Sequence, residues 1–140
     1  FNQDLSSWDV SNVINMNNMF SYTFNFNPDL SSWDVSNVTN MSSMFGDSVF
    51  NQDISSWDVS NVTNMEYMFA GAAGTVGFNQ DISSWDVSSV TNMRNMFWYS
   101  TAFNQDISSW IVENVTNCVA FSDGAPLSAA NTPRFKKCTP

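Results

Sequence analysis

Apolar residues recur along this chain in a long pattern that is neither simply helical nor simply alternating. In the first unit they are Phe1, Leu5, Trp8, Val10, Val13, Met16, Met19 and Phe20, and the same spacing returns from Phe26, Phe50, Phe78 and Phe103. Trp8 and Val10 alternate with polar neighbours, which predicts a strand. Val13, Met16, Met19 and Phe20 follow three- and four-residue steps, which predict a short helix or helical turn. A unit this small cannot bury both stripes alone. Successive units are therefore expected to stack, parallel strand on parallel strand at about 4.8 Å, with like residues in files.

The letters repeat as closely as the pattern. Phe-Asn-Gln-Asp opens units at Phe1, Phe50, Phe78 and Phe103, and Phe-Asn-Pro-Asp opens one at Phe26, so successive starts lie 25, 24, 28 and 25 residues apart. Length varies only at the unit ends, where Ala70 to Gly77 enlarge the third copy and predict a surface loop. The expected organisation is a five-unit array over 1–121 (1–25, 26–49, 50–77, 78–102 and 103–121), then a C-terminal cap and tail over 122–140. The fifth unit decays towards that cap: Ile111 replaces Asp, Glu113 replaces Ser and Cys118 replaces the inward Met of Met16, Met41, Met65 and Met93.

Stacking would put three apolar files inside. They are Trp8, Trp33, Trp57, Trp85 and Trp110; Val10, Val35, Val59, Val87 and Val112; and Met19, Met44, Met68 and Met96. Burying one such side chain is worth about 1.5–3 kcal/mol, so repetition supplies the core one unit lacks. The Trp file shares strand parity with Val10 and so reads as core; an exposed stacking platform for sugars is the alternative.

The run Ser-Ser-Trp-Asp-Val-Ser-Asn-Val-Thr-Asn-Met resembles bacterial surface-protein repeats of about 25 residues, found in mycoplasma-type lipoproteins and related to BspA-like leucine-rich repeats. The likeness extends from Phe1 to about Phe121. It implies a leucine-rich-repeat-like right-handed coil in which Leu5, Trp8 and Val10 fill the Leu-x-x-Leu-x-Leu places. The expected fold is thus an α/β solenoid with one parallel strand and one short helix or helical turn per repeat. Val13 stands where many leucine-rich repeats keep an inward Asn, and a parallel β-helix is the alternative fold. The resemblance also implies a surface or secreted protein for recognition and adhesion.

Composition narrows the function. Only 12% of residues are charged, histidine is absent and the net charge is −9; of the four basic residues, Arg134, Lys136 and Lys137 sit in the tail. Phosphate neutralisation needs Lys and Arg, so nucleic acid is excluded as a partner. No apolar run approaches the roughly 20 residues that cross a bilayer. The chain opens at Phe1 in mid-pattern, without initiator Met or leader, and reads as a processed or excised piece of a longer one. The open strand edge of the first unit predicts end-to-end self-association. Cys118 and Cys138 are the only cysteines, and a disulfide between them implies an oxidising compartment. A metal site is the competing reading, although two cysteines without histidine fall short of a zinc set.

Outward strand positions supply the candidate ligand face: Ser7, Ser32, Ser56 and Ser84 beside Asp9, Asp34, Asp58 and Asp86. Two carboxylates at stacking distance repel by about 1 kcal/mol in water. Either a bound calcium ion relieves this, or each Asp accepts hydrogen bonds from Ser hydroxyls and loop amides. A second file, Asp4, Asp29, Asp53, Asp81 and Asp106, falls where Asp holds turns. Asn15, Asn40, Asn64, Asn92 and Asn117, with Thr39, Thr63, Thr91 and Thr116, read as a buried ladder or as a flat array matching ice or a polysaccharide lattice. Asn-Val-Thr at Asn37, Asn61 and Asn114 meets the glycosylation rule, a recurrence that the repeat itself forces.

No catalytic residue is expected. Acid–base chemistry needs unlike groups in unlike environments, whereas these carboxylates occupy copies of one environment, and there is neither a phosphate cradle nor a nucleophile elbow. The expected role is a non-enzymatic extracellular or cell-surface module that recognises a protein or glycan. The alternatives are a subunit of an extracellular filament or coat, and lattice binding through the flat polar face.

Overall fold

Each unit folds as one coil made of consecutive β-turns, and a computed structural model describes residues 2–71 and 77–140. Three turns follow one another, each written in the sequence as Asp or Asn, apolar, two further residues, apolar. In the first, Asp4 accepts the Ser6 amide at 2.9 Å, and the Trp8 amide closes on the Leu5 carbonyl at 3.0 Å. In the second, Asp9 accepts the Ser11 amide at 3.0 Å and its hydroxyl at 2.6 Å, and Val13 closes on Val10 at 2.8 Å. In the third, Asn15 accepts the Asn17 amide at 2.9 Å, and Met19 closes on Met16 at 3.3 Å. Short Asp and Asn side chains hold turns in this way because the side-chain oxygen takes an amide two residues on.

This corrects the expected fold. Among the described residues there is no helix, and extended pairing is confined to the isolated parallel bridges that join Asn15, Asn40, Asn64, Asn92 and Asn117. The chain is therefore not an α/β solenoid with a strand and helical turn per repeat, nor a leucine-rich-repeat-like coil of that kind, and among the described residues no strands form to build the alternative parallel β-helix. The apolar spacing has another cause. Leu5 and Trp8, Val10 and Val13, and Met16 and Met19 are the first and fourth residues of successive turns; Leu5, Val10 and Met16 are buried, Val13 and Met19 are partly so, and Trp8, a core residue by its sequence pattern, is exposed in this first coil. Turn spacing of three residues imitates a helical step in sequence.

Main-chain bonds run from coil to coil. The amides of Met16, Asn18, Phe20 and Tyr22 donate to the carbonyls of Asn40, Ser42, Met44 and Gly46, at 2.9 to 3.0 Å. Side chains of the repeated phrase add to this. Asn27 accepts the Asn51 amide at 2.8 Å, and Gln52 donates to the Asn27 carbonyl at 3.1 Å. Pro28 replaces that Gln in the second coil and has no such amide to give.

Inside, two files of phenylalanine interlock. Phe20, Phe45, Phe69 and Phe97 stack at 5.7 to 5.9 Å, and each lies 3.9 to 4.1 Å from the ring that opens the next coil, Phe26, Phe50, Phe78 or Phe103. Trp33, Trp57, Trp85 and Trp110 are between 3% and 5% exposed, whereas Trp8 in the first coil is 52% exposed. At the other end Phe121 meets Phe97 edge-on at 5.4 Å and Phe135 of the tail at 5.0 Å. A disulfide joins Cys118 to Cys138, and the Ile107 amide donates to the Asn131 carbonyl at 3.0 Å. The tail is thus tied to the fifth coil by a covalent bond, a ring contact and a main-chain bond. The loop expected over Ala70 to Gly77 includes residues 72–76, which lie outside the described residues.

Candidate functional site

Nearly every recurring polar letter is committed to building the stack. Asp34 bonds Ser36, Asp58 bonds Ser60 and the Asp86 carboxyl accepts the Ser88 amide. Ser32, Ser56 and Ser84 instead donate to the carbonyls of Ser6, Ser31 and Ser55 in the preceding coil. The Ser and Asp files therefore bond different partners. The Ser11, Ser36 and Ser88 hydroxyls hold Asp9, Asp34 and Asp86 below the usual carboxylate range, with the serine amides adding to the effect. At Asp4, Asp29, Asp53 and Asp81 the serine amide is the main cause of the same lowering. Neighbouring carboxylates push some of these values back up, as Asp4 does to Asp29, but less strongly. No three acidic, cysteine or histidine side chains gather among the described residues.

The flat polar face is similarly engaged. Thr63 donates to the Thr39 carbonyl and Thr91 to the Thr63 carbonyl, both at 3.2 Å. Asn40, Asn64 and Asn92 accept the amides of Ser42, Glu66 and Arg94. Asn37, Asn61 and Asn114, the residues of the glycosylation rule, donate their side-chain amides to Ser11, Ser36 and Ser88 at 2.8 Å.

One edge of the stack carries letters that vary from coil to coil. Between the two methionine files, and just after the phenylalanine, the coils differ in letter while keeping one backbone course. One such file reads Asn18, Ser43, Tyr67 and Asn95; the next reads Ser21, Gly46, Ala70 and Trp98; a third includes Tyr22, Asp47 and Tyr99. Asn18, Tyr22, Ser43, Asp47 and Tyr67 are left-handed, with φ between 54° and 59°. Asn95, Tyr99 and Ala120 share it, so it belongs to the repeated turn; it costs an L-residue about 1–2 kcal/mol.

These files enclose a half-open cleft of about 290 Å³. Ser21, Gly46 and Ala70 leave the room, and Tyr22, Tyr67 and Trp98 border it. A methyl group added at Gly46 would come within 3.3 Å of the Tyr67 carbonyl. Tyr22 is 68% exposed and Trp98 38%. The rings are propped. Glu66 pairs with Arg94 at 3.1 Å; the Arg94 guanidinium lies over the Tyr67 ring at 5.5 Å; Tyr67 meets Trp98 edge-on at 6.4 Å, and Trp98 meets Tyr99 at 4.7 Å. Tyr99 in turn rests on Gly124, where a Cβ would approach its ring to 3.0 Å.

A family model described as Mycoplasma protein of unknown function, DUF285, matches residues 1–74 and again 46–133. The chain belongs to this family. No curated protein and no solved structure matches it. In this DUF285 chain the matched span contains both the turn-forming phrase and the cleft. The repeated phrase does not contain Tyr22, Gly46, Asp47, Tyr67 or Trp98. One signal could have found them: aromatic letters standing at the few places where the copies disagree.

Proposed function

We propose that this DUF285 chain is a non-catalytic recognition module of the extracellular or cell-surface type, and that it engages a protein or glycan through the aromatic cleft. The observation that carries this reading is the division of labour along each coil: recurring polar residues bond the stack, while the variable positions converge on one concave, ring-lined edge. Variable positions gathered on one side of stacked units are a common basis for binding faces. The Cys118–Cys138 disulfide supports an oxidising compartment. Kinship with surface repeats of about 25 residues, including the BspA-like type, belongs to the same reading and rests on the motif letters.

The test is adhesion. Beads carrying the chain should attach to cell and matrix surfaces, and the triple variant Tyr22→Ala, Tyr67→Ala, Trp98→Ala should lose attachment. Ser32→Ala, Ser56→Ala, Ser84→Ala, on another edge, should keep it. Equal attachment by both variants would refute the reading.

A further inference from the structure

We infer that the cleft is a binding site for a short neutral saccharide; this rests on the recognition reading above and gives its ligand a chemical class. A pyranose ring presents an apolar C–H face and a rim of hydroxyls. It therefore needs an exposed aromatic surface with polar atoms beside it, held by neighbours that keep the ring in place. The cleft supplies each part. Tyr22 and Trp98 give exposed aromatic surface, and Asn18, Ser43 and Asp47 add amide, hydroxyl and carboxylate groups to the same lining. The Glu66–Arg94 pair and the Arg94–Tyr67 contact fix one ring before any ligand arrives, which lowers the ordering cost of binding. At about 290 Å³ the cleft lies at the small end of ligand pockets.

Other occupants fit less well. An extended peptide would need free main-chain groups, but the amides of Asn18, Phe20, Tyr22, Ser43, Phe45 and Asp47 already donate to the next coil. An acidic sugar would meet Asp47 on a chain of net charge −9, and like charge disfavours it. A wholly apolar ligand would strand the polar lining.

The experiment is titration of the intact chain, followed by calorimetry and amide NMR, with chitotriose, cellotriose and mannotriose as neutral probes and sialyllactose and a heparin disaccharide as acidic ones. At least one neutral probe is expected to bind, with shifts confined to the cleft. Trp98→Ala and Tyr67→Ala should each weaken binding about tenfold or more, equivalent to about 1.4 kcal/mol. Tyr22→Ala, at a ring 68% exposed, should weaken binding likewise and keeps the inference testable should either of those variants misfold. The inference is overturned by no binding of any neutral probe, by preference for the acidic ones, or by binding that survives Trp98→Ala and Tyr22→Ala. Cleft-dependent bead adhesion without saccharide binding would remove this inference alone; adhesion indifferent to the cleft would remove the recognition reading as well.

Discussion

The indole N–H of Trp57 donates to the main-chain carbonyl of Leu30, one coil back, at 3.0 Å, while its amide closes a turn on Ile54 in its own coil. One residue thus fixes both the turn and the stack. Trp57→Phe removes one of the two donors to the Leu30 carbonyl, the Trp33 amide remaining at 3.1 Å, and should cost about 0.5–1.5 kcal/mol. Trp8→Phe, at a half-exposed indole, should stay within about 0.5 kcal/mol. Urea denaturation of the two variants checks this, and equal losses would contradict the coil-to-coil bond.

The disulfide closes a loop of 20 residues between the fifth coil and the tail. By loop-closure entropy it contributes about 3 kcal/mol. Reduction, or the double variant Cys118→Ser, Cys138→Ser, should lower the melting temperature and speed hydrogen exchange first around Val115, Phe121 and Phe135. A melt indifferent to reductant would show that the ring contact between Phe121 and Phe135 holds the tail unaided.

Acid should weaken the fold through its turns. The carboxyls of Asp4, Asp9, Asp29, Asp34, Asp53, Asp81, Asp86 and Asp106 are lowered by serine amides and hydroxyls. The native chain therefore holds fewer protons than the unfolded one in the carboxylate range. Stability is full above the ordinary Asp value of about 3.9 and is lost as pH falls through the lowered folded values. Thermal melts from neutral pH down to about pH 2 should show the loss concentrated at the acid end; a flat profile would count against the carboxylate caps.

Left-handed Ser43 gives a sign test. Its φ is 54°, so Ser43→Gly removes a conformational cost of about 1–2 kcal/mol against a glycine entropy penalty of about 0.5–1 kcal/mol. The variant should be neutral to about 1 kcal/mol more stable. Ser42→Gly, one residue earlier, lacks that relief and removes a buried hydroxyl that accepts from Asn17, so it should be less stable. Chemical denaturation that reverses this order would place the strained residue elsewhere.

Gly124 is left-handed at φ 77° and carries the Tyr99 ring. Gly124→Ala meets both obstacles and should cost about 1–2 kcal/mol. It should also alter the near-ultraviolet circular dichroism, because Tyr99 packs against Trp98. An unchanged spectrum with unchanged stability would mean that the ring is not held there.

The inward stripe was legible in part: Leu5, Val10 and Met16 are buried, whereas Trp8 is 52% exposed. The expected strand and helical turn do not form among the described residues. Steps of three residues suit a helical face and the two ends of a β-turn alike, and what separates them here is the Asp or Asn one place before each pair. Its side-chain oxygen takes the amide two residues on, which favours a turn over strand or helix. Phenylalanine is apolar by residue type, but that Phe45 stacks on Phe50 at 4.0 Å depends on where one coil hands over to the next.

By itself the sequence determined periodicity, the inward stripe, the acidic balance and the single pairing open to its cysteines, because each follows from residue type and spacing along the chain. Tertiary structure alone decided that Tyr22, Tyr67 and Trp98 border one cleft. They belong to three different coils and to different places within the unit. Only the register of coil on coil, set by main-chain bonds such as Tyr22 to Gly46 and Tyr67 to Arg94, brings them to the same edge.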